Sequence, residues 1–236
     1  MADVQRGRPI AIAVDGPGSS GKGTVARGVA RALGYQYVDT GSMYRSVALV
    51  AQERGLSWKD GPAVAALARA LDFRFLWDGD VLRVLVDGQD VTSCIRRDEI
   101  GRGASDDSAL APVRTALLDL QRALADVGGV VMDGRDIGTV VLPKADLKVF
   151  LDAGLDERAR RRHEELLRRG EVVSFHQVRD SLEARDRQDR ERPVAPLRQA
   201  EDAIYLDTSE LTIREATDVV LGLARQRGAE AVDRRG

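Results

Sequence analysis

Lysine is scarce in this chain. Of its 36 basic residues only four are lysines, at Lys22, Lys59, Lys144 and Lys148, and the other 32 are arginines. A lone arginine therefore says little here, and spacing must carry any functional reading. Cysteine is scarcer still. Cys94 stands alone, which excludes an internal disulfide, fits a reducing cytoplasm and reads as an ordinary small residue. The two histidines, His163 and His176, have no cysteine or carboxylate cluster at ligand spacing, so nothing signals a protein-built metal site. Aromatic residues make up 4% of the 236 positions, too few for the stacking platforms of an RNA binder. No apolar run approaches the roughly 20 residues of a membrane span. The N-terminus lacks the charged-then-apolar pattern of a secretory leader. The net charge of -2 gives no general attraction to nucleic acid. These absences leave a soluble, cytoplasmic protein of one domain, with no nucleic-acid or membrane partner and with a monomer as the default.

What is present alternates between strand and helix. Ile10–Asp15 is a short apolar run that ends at a glycine loop, as a buried strand does. Lys22–Leu33 has helical periodicity and stops at Gly34. Tyr35–Val38 reads as a second strand and Ser42–Arg54 as a helix stopped by Gly55. Pro62–Leu71 is helical. "DFRFLW" and "VLRVLVDG", joined by Asp78-Gly79-Asp80, form a hairpin pattern inside an otherwise strand–helix chain. That pattern marks an insertion over about residues 60–105. Pro112–Val127 is a helix, and strands follow that end at Asp133 and Asp152. Leu155–Arg169 and Ser174–Arg192 are charged helices, "AIYLDTS" is a fifth strand, Thr212–Arg227 closes the chain, and the last residues look frayed. The expected fold is α/β, with a five-stranded parallel sheet flanked by helices. Ligands in such sheets bind beyond the carboxyl ends of the strands. Asp15, Asp39, Asp133 and Asp152 all fall there, as does the glycine loop.

The loop is "GPGSSGKGT": Gly16, Pro17, Gly18, Ser19, Ser20, Gly21, Lys22, Gly23 and Thr24. Glycines after a strand let the backbone fold back with its N–H groups inward. The helix that follows adds partial positive charge at its start. Together they suit a polyphosphate, with Lys22 as a point charge and Thr24 placed to help hold Mg²⁺, directly or through water. The usual phosphate loop puts Ser or Thr right after the lysine. Here Gly23 intervenes, and "GKGT" resembles the loop of nucleoside monophosphate kinases. No Asn-Lys-x-Asp base-reading motif of a GTPase is present.

Two further motifs follow strand ends. "DTGSMYR", Asp39–Arg45, offers Arg45 one turn into a helix, where it suits an acceptor phosphate. "DGRDIGT", Asp133–Thr139, brackets Arg135 between two acids that are costly to hold at a strand end without partners. Asp133 either serves magnesium or water, or structures the loop. Arg185, Asp189 and Arg192 fall at i, i+4 and i+7, one helical face, which is also the spacing of a solvated ion-pair ladder. Arg158 and Arg162 share a face as well, within reach of ATP phosphates ahead of a mobile segment.

With these motifs, "SDDSALAPVR" (Ser105–Arg114) and "ARDRQDRERPVAPL" (Ala184–Leu197), the chain resembles bacterial cytidylate kinases, in the family's order and over nearly its whole length. The resemblance implies a P-loop kinase that moves the ATP γ-phosphoryl group to CMP or dCMP in pyrimidine nucleotide metabolism. It implies that Gly16–Thr24 hold ATP, and the shared helix face adds Arg158 and Arg162 to the ATP side. Arg45 and Arg135 would bind the acceptor phosphate, with Arg192 closing over it and Lys22 completing the catalytic set. Ser105, Arg114 and Asp136 would contact the cytosine, and Arg185 and Asp189 the sugar hydroxyls. Thr40, Tyr44 and Asp133 complete the CMP side. Thr40 stands where serine is common, and Ser20 sits inside the loop; both departures are conservative. The hairpin insertion, 60–105, corresponds to the family's NMP-binding subdomain, residues 170–192 to a lid and closing arm, and about 8–59, 106–169 and 193–228 to the core. A phosphate with a second pKa of about 6 needs no strong base to attack. Rivals are a UMP, AMP or shikimate kinase, a non-catalytic nucleotide-binding module, and an RNA binder.

Overall fold

The computed structural model describes residues 8–78, 81–126 and 128–232. In chain order, β1 (Ala11–Asp15), α1 (Lys22–Leu33), β2 (Gln36–Asp39) and α2 (Thr40–Glu53) come first. Then follow α3 (Gly61–Ala70), β3 (Phe73–Asp78), β4 (Val81–Val86), β5 (Gln89–Asp90), α4 (Asp98–Ser108) and α5 (Ala111–Ala125). The chain continues through β6 (Val130–Gly134), β7 (Leu147–Asp152), α6 (Leu155–Arg168), α7 (Phe175–Glu191), β8 (Ile204–Asp207) and α8 (Ile213–Gln226). The chain divides into two compact units, residues 1–37 with 127–236, and residues 38–126.

The first unit is built on a five-stranded sheet of order β2-β6-β1-β7-β8. Its β1–β6, β1–β7 and β7–β8 ladders are parallel. This is the expected α/β architecture. β1 lies at the centre, and Ile12, Ala13 and Val14 are fully buried. A strand covered on both faces needs an apolar run, which is why β1 and β6 do not alternate. The register sets Asp15 beside Gly134 on one side and Phe150 on the other. The carboxyl ends of the central strands therefore come level where the glycine loop begins. α8 packs on α1 through a stripe that includes Ala216, Val220 and Ala224, and Thr212 and Glu215 form a capping box at its start. The tail expected to fray is pinned through residue 232, where the Val232 amide donates to the Leu33 carbonyl at 2.7 Å.

The second unit holds α2 to α5 and an antiparallel sheet of order β3-β4-β5. β3 and β4 pair from Phe73↔Val86 to Asp78↔Val81, as the hairpin pattern predicts. Gly79 and Asp80 of the expected turn lie outside the described residues. α2 begins two residues before the expected Ser42, because the Asp39 carboxylate accepts both the Ser42 amide at 2.9 Å and its hydroxyl at 2.6 Å. The short strand β5 and the helix α4 have no counterpart in the sequence reading. α4 carries two glycines, poor helix formers. Tertiary packing decides it instead: Ile100, Gly103, Ala104 and Asp107 form its buried stripe. At Gly103 a Cβ would stand 2.5 Å from the Trp58 indole, so only glycine lets the helix lie this close.

Candidate active site

In the first unit the loop after β1 is a tightly built turn. At Gly16 φ is +151°, and a Cβ there would lie 2.0 Å from the Leu151 carbonyl oxygen, so glycine is required. Ser19, at φ 60°, holds a left-handed conformation unusual for a residue with a side chain. Gly21 caps α1 with no side-chain hydrogen bond, which leaves the helix start to an incoming anion. The Ser20 hydroxyl is fully buried without a partner. Thr24 is exposed on the first turn of α1.

Lys22 is buried, and its Nζ donates to the Pro17 carbonyl at 3.1 Å. Burial, with Arg135 and Arg185 beside it, pulls its ammonium down to about 7, against the opposing pull of Asp133 and Asp189. Such a position gains from a bound anion, which would restore the charge balance. Around Lys22 stand the residues of the third and fourth motifs. Arg135 donates from Nε to Asp189 Oδ2 at 2.7 Å. Arg192 donates from Nη2 to Asp136 Oδ1 at 3.2 Å and from Nε to the Ala195 carbonyl at 2.7 Å. Burial raises the Asp189 carboxyl, but Arg135, Arg185 and Arg192 outweigh it and hold the group below its usual range. Asp133 is buried and accepts the Tyr37 hydroxyl at 2.7 Å. Its Oδ2 lies 3.5 Å from where a Cβ on Gly23 would be. The face spacing of Arg185, Asp189 and Arg192 thus serves a buried network rather than a solvated ladder.

The two arginines of α6 part ways. Arg158 is buried and spends its guanidinium on the Ala153 carbonyl at 2.9 Å, the Gly18 carbonyl at 3.2 Å and Asp186 at 2.6 Å. It braces the glycine loop from below. Arg162 donates to Glu165 at 3.0 Å, on its own helix. The neighbour Arg161, absent from the sequence reading, reaches the Ser20 carbonyl at 3.4 Å and the Thr208 carbonyl at 2.6 Å. Within "RARRR" no local signal separates these three, because the partners that set Arg158 and Arg161 apart, Gly18, Ser20, Asp186 and Thr208, lie far along the chain.

In the second unit, Asp39 caps α2 and Arg45 follows one turn on. Burial raises the Asp39 carboxyl, but Arg45, Ser42 and Arg96 hold it below its usual range. Arg96 was not expected there. Arg114 is buried, donates to the Ser108 carbonyl at 3.1 Å and lies over the Tyr44 ring, 5.7 Å from its centre. Ser105 accepts the Ser108 hydroxyl at its carbonyl, at 3.1 Å. Thr40 is buried. The unit so brings Tyr44, Ser105 and Arg114 into one neighbourhood. Among the described residues no group of three or more histidine, cysteine or acidic side chains is placed to hold a metal, and no helix is long and apolar enough to cross a membrane.

The family description "Cytidylate kinase" matches residues 12–226. The chain is 45% identical over 227 residues to a cytidylate kinase of Geobacter sp. (strain M21), covering 96% of this chain and 97% of that one. It is 50% identical over 210 residues to a cytidylate kinase of Chromobacterium violaceum, covering 89% and 93%. Among solved structures it is similar in fold to an uncharacterized protein from Eubacterium ventriosum, with a TM-score of 0.53 at 12% identity, covering 92% of this chain and 98% of that one.

Proposed function

The chain belongs to the cytidylate kinase family, and from that membership we propose how its residues divide the work. It is an ATP-dependent kinase that phosphorylates CMP or dCMP, giving ADP and the diphosphate. The observation that best supports a division of roles is the buried network of Lys22, Arg135, Asp136, Asp189 and Arg192 beside the glycine loop.

Two polyanions must meet for this transfer, and their mutual repulsion is the first barrier. Positive charge fixed in advance lowers it and stabilises the charge that spreads in a loose transition state. Gly16–Thr24 take the ATP phosphates, with Lys22 as the point charge. Arg161 and Arg158 hold that loop in shape, and Arg162 is assigned to the ATP phosphates. Arg45, Arg135 and Arg192 take the acceptor phosphate. Arg185 and Asp189 take the ribose hydroxyls, and Thr40, Tyr44, Ser105, Arg114 and Asp136 the cytosine. Asp136 accepts from Arg192 at Oδ1, and its carboxylate is the group assigned to the exocyclic amino group.

Magnesium takes most of its ligands from nucleotide phosphates and water, with one or two protein oxygens. The exposed Thr24 hydroxyl and the Asp133 carboxylate suit that small share, so the lack of an acidic cluster is no obstacle. Bound there, the ion neutralises phosphate charge. Residues 170–192 act as lid and closing arm, and 60–105 as the acceptor-binding subdomain. The protein works in pyrimidine nucleotide metabolism, as a cytoplasmic monomer whose single cysteine fits a reducing compartment.

A coupled ADP-release assay tests this reading. CMP and dCMP should support turnover, and UMP, AMP and shikimate should do so far less. Lys22→Ala should lose at least a hundredfold in kcat while remaining folded. Comparable rates with AMP, or an unimpaired Lys22→Ala, would overturn it.

A further inference from the structure

We infer that Asp15 is the positioning residue for the acceptor loop: it clamps the backbone directly after Arg135 and Asp136 and so fixes the direction in which the Asp136 carboxylate leaves the loop. This rests on the reading that Arg135 and Asp136 meet CMP.

Asp15 ends β1, the strand that runs into the glycine loop. Its Oδ1 accepts the Ile137 amide and its Oδ2 the Gly138 amide, each at 2.7 Å. Two successive amides held by one carboxylate fix the orientation of both peptide planes. Those amides open a single wide turn, Ile137–Val141, closed by i→i+5 bonds from Val141 to Asp136 at 3.2 Å and from Leu142 to Ile137 at 2.7 Å. Wide turns of this kind recur at functional sites.

Asp136 occupies the position where an aspartate ordinarily folds back to cap the turn that follows. It makes no such bond. Asp15, reaching across from the neighbouring strand, supplies the cap instead. The Asp136 carboxylate instead accepts from Arg192 at Oδ1. Gly138 allows the approach: a Cβ there would stand 3.3 Å from Asp15 Oδ2 and 3.1 Å from the Lys148 stem. Lys148 is itself fixed by bonds from Nζ to the Pro143 carbonyl at 2.7 Å and to Asp202 at 2.8 Å. The placement is costly, because a carboxylate buried this deeply loses its hydration. Burial holds the Asp15 carboxyl up at about 7 despite the two amides and the nearby Lys22. The arrangement links the ATP-side strand to the acceptor-side loop through one side chain.

Steady-state kinetics of Asp15→Asn test the inference, with CMP, UMP and ATP varied in turn. Asparagine offers one acceptor oxygen and turns an N–H toward the other amide. The KM for CMP should rise about tenfold, the KM for ATP should stay within twofold, and the CMP:UMP ratio of kcat/KM should fall. Adding Asp15→Asn to Asp136→Ala should not lower that ratio further, since the first acts through the second. Equal rises in both KM values, an unchanged KM for CMP, or fully additive losses would overturn it. If Asp136→Ala alone leaves the CMP:UMP ratio unchanged, base reading by Asp136 has failed, and the KM split by itself upholds or overturns the clamp. Gly138→Ala presses on the same contact with Asp15 intact, and decides the matter if Asp15→Asn does not fold. A rise in the KM for CMP alone upholds the clamp, and a rise for both substrates overturns it.

Discussion

Nη2 of Arg158 lies 2.6 Å from Oδ2 of Asp186, in an ion pair whose two side chains are each 4% exposed. The pair joins α6 to α7, and the same guanidinium holds the Gly18 carbonyl of the phosphate loop. One arginine thus ties the loop to the helix that carries Arg185 and Asp189. Removing one partner of a buried pair strands the other charge, at a cost of about 3–5 kcal/mol. Asp186→Ala should therefore lower the thermal midpoint sharply. Replacing both with apolar residues, Arg158→Met with Asp186→Leu, should cost less than either single change. The variants that lack Arg158 should also raise the KM for ATP, because Gly18 then loses its brace. Thermal melts and ATP titrations of Arg158→Met, Asp186→Leu and the double variant check this, and a double variant that costs more than either single change would contradict it.

Asp136 carries the base preference in the proposed scheme. Cytosine presents an exocyclic amino donor, and uracil presents a carbonyl oxygen at the same place. A carboxylate facing that oxygen is left without a donor, at about 1–3 kcal/mol. Asp136→Asn keeps the shape and can serve either base. It should lower CMP turnover about ten- to a hundredfold relative to UMP. Because Asp136 also holds Arg192, both activities should fall in absolute terms. The ratio of kcat/KM values is the readout, and an unchanged ratio would remove Asp136 from base recognition.

Gly103 is the close-packing point of α4 on Trp58, whose indole N–H is anchored to the Ala48 carbonyl at 2.8 Å. The ring cannot swing away without breaking that bond. Gly103→Ala should destabilise the protein by about 1–3 kcal/mol, as overpacking does, despite alanine's better helix propensity. Gly101 on the same helix has open space around it, so Gly101→Ala should be neutral or stabilising. Denaturant melts of the two variants should separate them, and equal midpoints would refute the packing argument.

These helices also show what a sequence can and cannot reveal. α1, β7 and the glycine loop were legible because their signals are local: an apolar run, a glycine turn, a periodic stripe. α4 was not, because its glycines speak against a helix and only Trp58 and the buried stripe hold it in place. The same division runs through the site. Asp133, Arg135 and Asp189 stood out by motif and spacing. Asp15 was visible only as a strand end, since its partners lie 122 and 123 residues away. Arg161 was hidden among neighbours of the same type, in a chain where arginine is common.

Asp107 supplies a test of electrostatics inside the fold. It lies on the buried stripe of α4, fully enclosed, and neither carboxylate oxygen has a hydrogen-bond partner. Burial pushes its carboxyl well above the usual carboxylate range, and Asp106 beside it adds to the shift. The adjacent Ser108 amide eases the charge slightly but is not aligned for a hydrogen bond. The folded chain therefore binds this proton more tightly than the unfolded chain. The stability it contributes is fully present below the unfolded value of 3.8 and is lost as pH rises through the raised folded value. Asp107→Asn stays neutral at every pH. Near pH 4 the two proteins should melt at similar temperatures. Toward pH 8 the variant should become the more stable, by about 1–3 kcal/mol or more, the range for a buried group left unsatisfied. Thermal midpoints of both proteins across pH 4–9 measure the difference directly, since every other titrating group cancels. A gap that stays constant with pH, or that closes as pH rises, would mean that Asp107 finds a partner for its charge.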